Sequence, residues 1–118
     1  MIDEDTIVAL STPAGIGAIA VIRLSGKDAI TIADAVFKGK VLANENSHTL
    51  HFGHIVEGDK IIDEVVAAIF KEPNSYTKEN VVEISCHGSP FIIQKIIQLL
   101  LIQERGQRRQ VSLRSVLF

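Results

Sequence analysis

The sequence predicts an α+β domain, in which two helices pack on a mixed β-sheet. Three observations carry that reading. The chain has 118 residues, of which 47% are hydrophobic and 22% charged, enough for one core of ordinary size. Five short apolar, β-branched runs are bounded by turn residues, and two other segments carry apolar residues at helical spacing. The order is β, β, α, β, β, β, α, with no internal repeat and no linker.

Thr6–Leu10 is the first strand, closed by Ser11-Thr12-Pro13-Ala14-Gly15-Ile16-Gly17, whose proline and glycines read as a loop. Ala18–Leu24 is a second, buried strand that can lie beside the first. Ser25-Gly26 breaks it, and Asp28–Phe37 places Ile30, Ala33, Val36 and Phe37 on one helical face, with Ser25 or Asp28 as candidate caps and Gly39 as the stop. His48–Glu57 and Ile61–Phe70 form an antiparallel pair through the turn residues Gly58-Asp59-Lys60. Pro73–Thr77 is a loop and Val81–Ser85 a strand. Gly88-Ser89-Pro90 then leads into a helix from Pro90 to about Gln103, with Pro90 at a tolerated first position and a stripe of Ile93, Ile96, Ile97, Leu100 and Leu101.

A net charge of −2 and a pI near 6.0 supply no broad cationic field for a phosphate backbone. Only the end containing Arg105, Arg108, Arg109 and Arg114 is locally basic. The single cysteine, Cys86, has no internal disulfide partner, and Met1 is followed by Asp3, Glu4 and Asp5 where a secretory leader would be basic and then apolar. The expected location is the cytoplasm. Ile61–Phe70 and Phe91–Ile102 are interrupted by polar residues, so no membrane span is expected.

Several constellations have a functional and a structural reading. Gly15-x-Gly17-x-x-Ala20 has the spacing of a dinucleotide fingerprint, but a strand-like run follows where the fingerprint needs a helix. His48, His51 and His54 recur at every third residue, yet on a strand His51 faces away from the other two, so surface or edge positions explain them better than a zinc site. Cys86-His87 stands before a helix, where a thiol can be activated. The adjacent imidazole points to the opposite side of an extended chain, which favours a small buried residue over a nucleophile. Arg23 and Glu83 each sit inside an apolar strand run, Ala20–Leu24 and Val81–Ile84. A charge there is costly unless paired or met by a ligand, so the two neutralise each other, line a pocket, or lie on the solvated face of an edge strand.

Asp5-Thr6-Ile7-Val8-Ala9-Leu10-Ser11-Thr12-Pro13 and Gly17-Ala18-Ile19-Ala20-Val21-Ile22-Arg23-Leu24-Ser25-Gly26, together with Ile62-Asp63-Glu64-Val65-Val66 and Pro73–Gly88, resemble the amino-terminal signature of the MnmE (TrmE) family of bacterial tRNA-modification GTPases. Order and spacing hold from about Asp5 to Leu101; Asn80 stands where the pattern usually has aspartate, and Ser89 where it has glycine. The resemblance implies a fold like the folate-binding domain of aminomethyltransferases, and a domain that binds a tetrahydrofolate one-carbon derivative, 5-formyl- or methylene-tetrahydrofolate, and forms a homodimer. By motif, Arg23 and Glu83 are the folate contacts. In the whole family protein it implies tRNA and a flavoprotein (MnmG-like) as partners, in aminomethyl-type modification of the wobble uridine. A purely structural dimerisation domain, or a small thiol enzyme using Cys86 and His87, are the alternatives.

The resemblance stops after Ile102. Arg109–Phe118 admits a coding that, read from its third base, gives Pro-Gly-Glu-Phe-Thr-Gln-Arg-Ala-Phe, a motif of the family. Residues 1–104 are therefore expected to form the domain, and 105–118 a frameshifted tail whose arginines are no RNA patch. No Gly-x-x-x-x-Gly-Lys-Ser/Thr occurs in the sequence. GTP, potassium and magnesium are accordingly expected only in a G domain that this chain lacks, and catalysis by this domain alone is not expected.

Overall fold

A computed structural model describes residues 6–11, 18–73 and 79–117, with side-chain surroundings as far as Gln107. The glycine pair Gly15 and Gly17, and most of the Pro73–Thr77 loop, lie outside the described residues. The strands are β1 (Ile7–Leu10), β2 (Ile19–Ser25), β3 (Phe37–Lys38), β4 (Thr49–Glu57), β5 (Lys60–Phe70) and β6 (Val81–His87). The helices are α1 (Ala29–Val36) and α2 (Pro90–Leu117), and a short 3-10 turn spans Leu42–Asn44.

The six strands form one sheet in the order β1-β2-β6-β5-β4-β3. The α+β class agrees with the sequence, but every described pairing is antiparallel where a mixed sheet was expected. The reason is the insertion of β6. After β2 the chain crosses through α1 to β3 at the far edge, so the parallel pair that such a crossover creates is kept apart by β4, β5 and β6.

Strand periodicity decides what each face holds. Ala20, Ile22 and Leu24 of β2, Val65, Ala67 and Ile69 of β5, and Val82, Ile84 and Cys86 of β6 point to one side, where they meet Ile32, Ala33 and Val36 of α1 and Ile93, Ile96 and Leu100 of α2. Both helices cover this one face. The residues between these positions, including Ile19, Val21, Arg23, Val66, Ala68, Glu83 and Ser85, belong to the opposite face and are exposed or half-buried, except for the buried Ala68.

Local chemistry fixes the ends of the elements. Asp28 is the N-cap of α1, though its side chain makes no capping bond; its N–H donates to Thr6 Oγ1 at 3.2 Å. Phe37 ends that helix early by entering β3. Asp34 accepts from the N–H groups of Leu42 and Ala43 at 2.7 and 3.0 Å, which holds the 3-10 turn against α1. Neither β3 nor that turn is visible in the sequence pattern, because two or three residues are too few to show a period. Gly58 opens the β4–β5 hairpin with φ 59°, the backbone state that glycine adopts without steric penalty. A register shift between Ile55 and Val56 leaves Ile62 unpaired and sets Asp63 opposite Ile55.

The helix expected to end near Gln103 runs to Leu117. Gln103-Glu104-Arg105 and Gln107-Arg108-Arg109-Gln110 are mostly straight-chain helix formers, and no proline stops them. Gly106 sits inside this helix with no neighbour near its missing Cβ, so it weakens the helix by roughly 1 kcal/mol without breaking it.

Gly53 is the tightest point of the β3–β4 edge. A Cβ there would run into the Phe37 ring and the Lys38 carbonyl, neither of which is the free end of a flexible chain. Gly53→Ala is expected to destabilise the fold by about 2 kcal/mol, read as a lower denaturation midpoint with an unchanged slope.

Candidate functional site

The two charges singled out in the sequence are brought together. Arg23 lies opposite Glu83 in the β2–β6 ladder, and its Nη1 stands 3.4 Å from Glu83 Oε2. Neither is on an edge strand, since β1 flanks β2 and β5 flanks β6. Neither is buried: the side chains are 39% and 33% exposed, because both fall on the face opposite the two described helices. Small or apolar neighbours, Ala9, Ala68 and Leu50, complete their row across the sheet, with Val21, Ser85, Val66 and Phe52 in the next.

Around this pair the uncovered face is apolar. Ile7, Ile19, Leu50 and Phe52 are 58%, 67%, 71% and 64% exposed. A hollow of about 250 Å³ lies over the strands beside the pair, lined by Ile19, Phe52, Glu64, Val66, Ser85 and His87 among others. Ser25, two residues beyond Arg23 on β2, donates from its hydroxyl to Glu79 at 2.9 Å and so ties Glu79 to the same face. Asn80 accepts at Oδ1 from the Glu72 N–H at 3.0 Å and donates from Nδ2 to the Lys27 carbonyl at 3.4 Å. An aspartate, the usual family residue, has no proton to give Lys27.

Sequence reasoning passed over Asp63. It is 8% exposed, and its carboxylate accepts from the His87 N–H at 2.8 Å and from His87 Nδ1 at 2.7 Å. The available signal was its place in the alternation Asp63, Val65, Ala67, Ile69, where an acid occupies a core-facing position. Phe52, Glu64 and Ser85 were also missed, because only the register brings β4, β5 and β6 side by side.

The histidine series needs a correction. His51 is not a surface residue: it is 7% exposed, with Nε2 2.8 Å from Thr49 Oγ1 and 3.8 Å from Glu45. Gly53 and Ile55 share its buried side of β4, so it belongs to the row that faces the helices. His54 lies on the other face, 3.7 Å from Glu64, and His48 precedes β4 with its ring edge-on to Phe70. Among the described residues no group of histidine, cysteine, aspartate and glutamate could hold a metal ion.

Cys86 is 3% exposed on the helix-covered face, and burial, followed by the negative charge of Asp63, pushes its thiol up from 9.0 to about 11. At neutral pH it carries its proton and is no nucleophile. Ala20 of β2 after the glycine spacing is strand, which removes the helix start that a dinucleotide fingerprint requires. Among the described residues no helix is long and apolar enough to cross a membrane.

Comparison with known proteins gives a consistent result. The profile of the family described as GTP-binding protein TrmE N-terminus matches residues 6–111. The chain is similar to the tRNA modification GTPase MnmE of Flavobacterium psychrophilum, 57% identical over 99% of this chain and 26% of that protein. It is similar also to those of Flavobacterium johnsoniae, 59% identical over 86% of this chain and 22% of the relative, and Streptococcus thermophilus, 54% identical over 82% and 21%. The chain thus spans about a quarter of the length of these relatives.

The thiol makes a measurable prediction. Its folded value lies above its unfolded one, so its contribution to stability is complete below about pH 9 and is lost as pH rises toward about 11. Urea titrations are expected to show stability falling across that interval, with a shallower fall in Cys86→Ala. Iodoacetamide at neutral pH is expected to leave native Cys86 unmodified and to label it in denaturant; rapid native labelling would restore the thiol-enzyme alternative.

Proposed function

The chain belongs to the TrmE N-terminus family, and from that premise we propose that it is a folate-binding and dimer-forming domain of a tRNA-modification GTPase. The observation that supports the reading is the meeting of Arg23 and Glu83 on the uncovered face beside an apolar hollow. A half-exposed ion pair contributes about 0–1 kcal/mol, and 3.4 Å is longer than a tight charge-assisted bond. Mutual neutralisation is thus a weak reason to hold two charges among apolar strands, and a ligand is a stronger one.

The residue types fit a reduced folate. A pterin offers an amino group and a ring N–H side by side, and a carboxylate accepts from both, which assigns Glu83 to the ring. Arg23 supplies fixed donors for a carbonyl or carboxylate oxygen of the same ligand. Exposed Ile19 and Phe52 supply apolar surface for its flat parts. The folate would bring a one-carbon unit, in 5-formyl- or methylene-tetrahydrofolate. The domain's own part is to bind and orient it. GTP hydrolysis, tRNA binding and the flavoprotein partner belong, in this reading, to the longer protein of which the relatives are examples.

Pairing with a second copy gives the exposed apolar side chains Ile7 and Leu50 somewhere to be buried. The thiol-enzyme alternative has little support, since Cys86 is buried and protonated.

Calorimetric titration with 5-formyltetrahydrofolate tests the ligand. Arg23→Ala and Glu83→Ala are each expected to weaken binding by about 2 kcal/mol, roughly thirtyfold, because the partner group loses its bond in a desolvated site; unchanged affinity in Glu83→Ala rejects the assignment. Sedimentation tests the pairing. Leu50→Glu is expected to shift the chain toward monomer at micromolar concentration, and an unaltered dimer would remove this face from the contact.

A further inference from the structure

We propose that Asp63 locks His87 in one tautomer and thereby makes the hollow a subsite for planar ring ligands that carry an N–H donor. The starting point is the double grip on one residue. Asp63, 8% exposed, accepts from the His87 backbone N–H at 2.8 Å and from ring Nδ1 at 2.7 Å. A carboxylate can only accept, so Nδ1 must carry the proton. Nε2 of the neutral ring is then an acceptor.

The ring is 66% exposed and lines the hollow with Glu64 and Ser85, so the acceptor nitrogen is accessible to a ligand there. Val66 and Ser85 lie between exposed Phe52 on β4 and Ile19 on β2, strands three places apart in the sheet, or about 14 Å. That span suits a flat ring of one or two cycles and is too shallow for a globular ligand. Glu64 adds a second acceptor. His87 Nε2 and Glu64 both accept, and Ser85 can do either, so the subsite favours rings that present an N–H donor over rings that have none. The inference deepens the folate reading and rests on it for the choice of probe, but its first test needs no ligand.

The tautomer is read by ¹⁵N spectra of histidine-labelled protein at about pH 8.5, where an ordinary imidazole is neutral. The expected result is a protonated Nδ1 in His87. Asp63→Asn is expected to turn the ring to the Nε2–H form, since the amide can donate to Nδ1. A protonated Nε2 in the wild-type chain overturns the inference. Titration with 5-formyltetrahydrofolate is then expected to shift His87 Nε2, and to bind about tenfold more weakly in Asp63→Asn and in His87→Ala, the second variant leaving the buried carboxylate and the backbone bond in place. Unchanged affinity in both, with loss in Glu83→Ala, overturns this subsite and leaves the folate assignment standing. Failure of the wild-type chain to bind the folate overturns that assignment, and the tautomer alone then decides this one.

Discussion

A β-strand turns successive side chains to opposite sides, and among the described residues both helices pack on only one side of this sheet. Two helices bury the row that contains Ile22, Leu24, Val82, Ile84 and Cys86. Everything of chemical interest follows from which residues fall in the other row. Arg23 is one position from Ile22 and Leu24, and Glu83 one from Val82 and Ile84, so the same apolar runs that build the core present both charges to the open side. A shift of register by one residue would bury the ion pair and expose the isoleucines. The packing of the core and the placement of the charges are thus a single constraint.

That constraint explains what the sequence disclosed and what it withheld. The β1, β2, β4, β5 and β6 runs and both helices are legible in the primary structure because each has a period long enough to recognise. The hairpin turn at Gly58-Asp59 is legible because its backbone state demands glycine. Sheet order is another matter. Nothing local in Val81–His87 says that β6 lies between β2 and β5, and so the antiparallel character of the pairings beyond the β4–β5 hairpin, the Asp63–His87 contact and the hollow near Phe52 show only when strands are placed side by side. Arg23 and Glu83 stand out as charges among apolar residues, but pairing, a pocket and a solvated face stay open for them, since an apolar run looks the same whether one face of its strand is covered or two.

The titratable groups of β6 divide the same way. Cys86 faces the helices, where burial and Asp63 keep its proton on. His87, its neighbour, faces outward and is steered by that same carboxylate. One acid thus adds to the burial that keeps Cys86 protonated and orients the ring of the residue after it. The histidines of β4 lack such an arrangement, and their spacing by threes has no counterpart in the fold: His51 is packed inside, His54 stands outside, and His48 precedes the strand.

The position of β6 has a consequence for how the molecule comes into being. Arg23 and Glu83 are 60 positions apart, and their strands are adjacent only because β6 enters between β2 and β5, which both precede it in the chain. The β4–β5 hairpin closes across a two-residue turn and can zip within microseconds. The Arg23–Glu83 contact requires closure of a long loop and hence a larger entropic toll, so it forms later than the hairpin. A nascent polypeptide arrested before β6 would have a growing hairpin and no site at all.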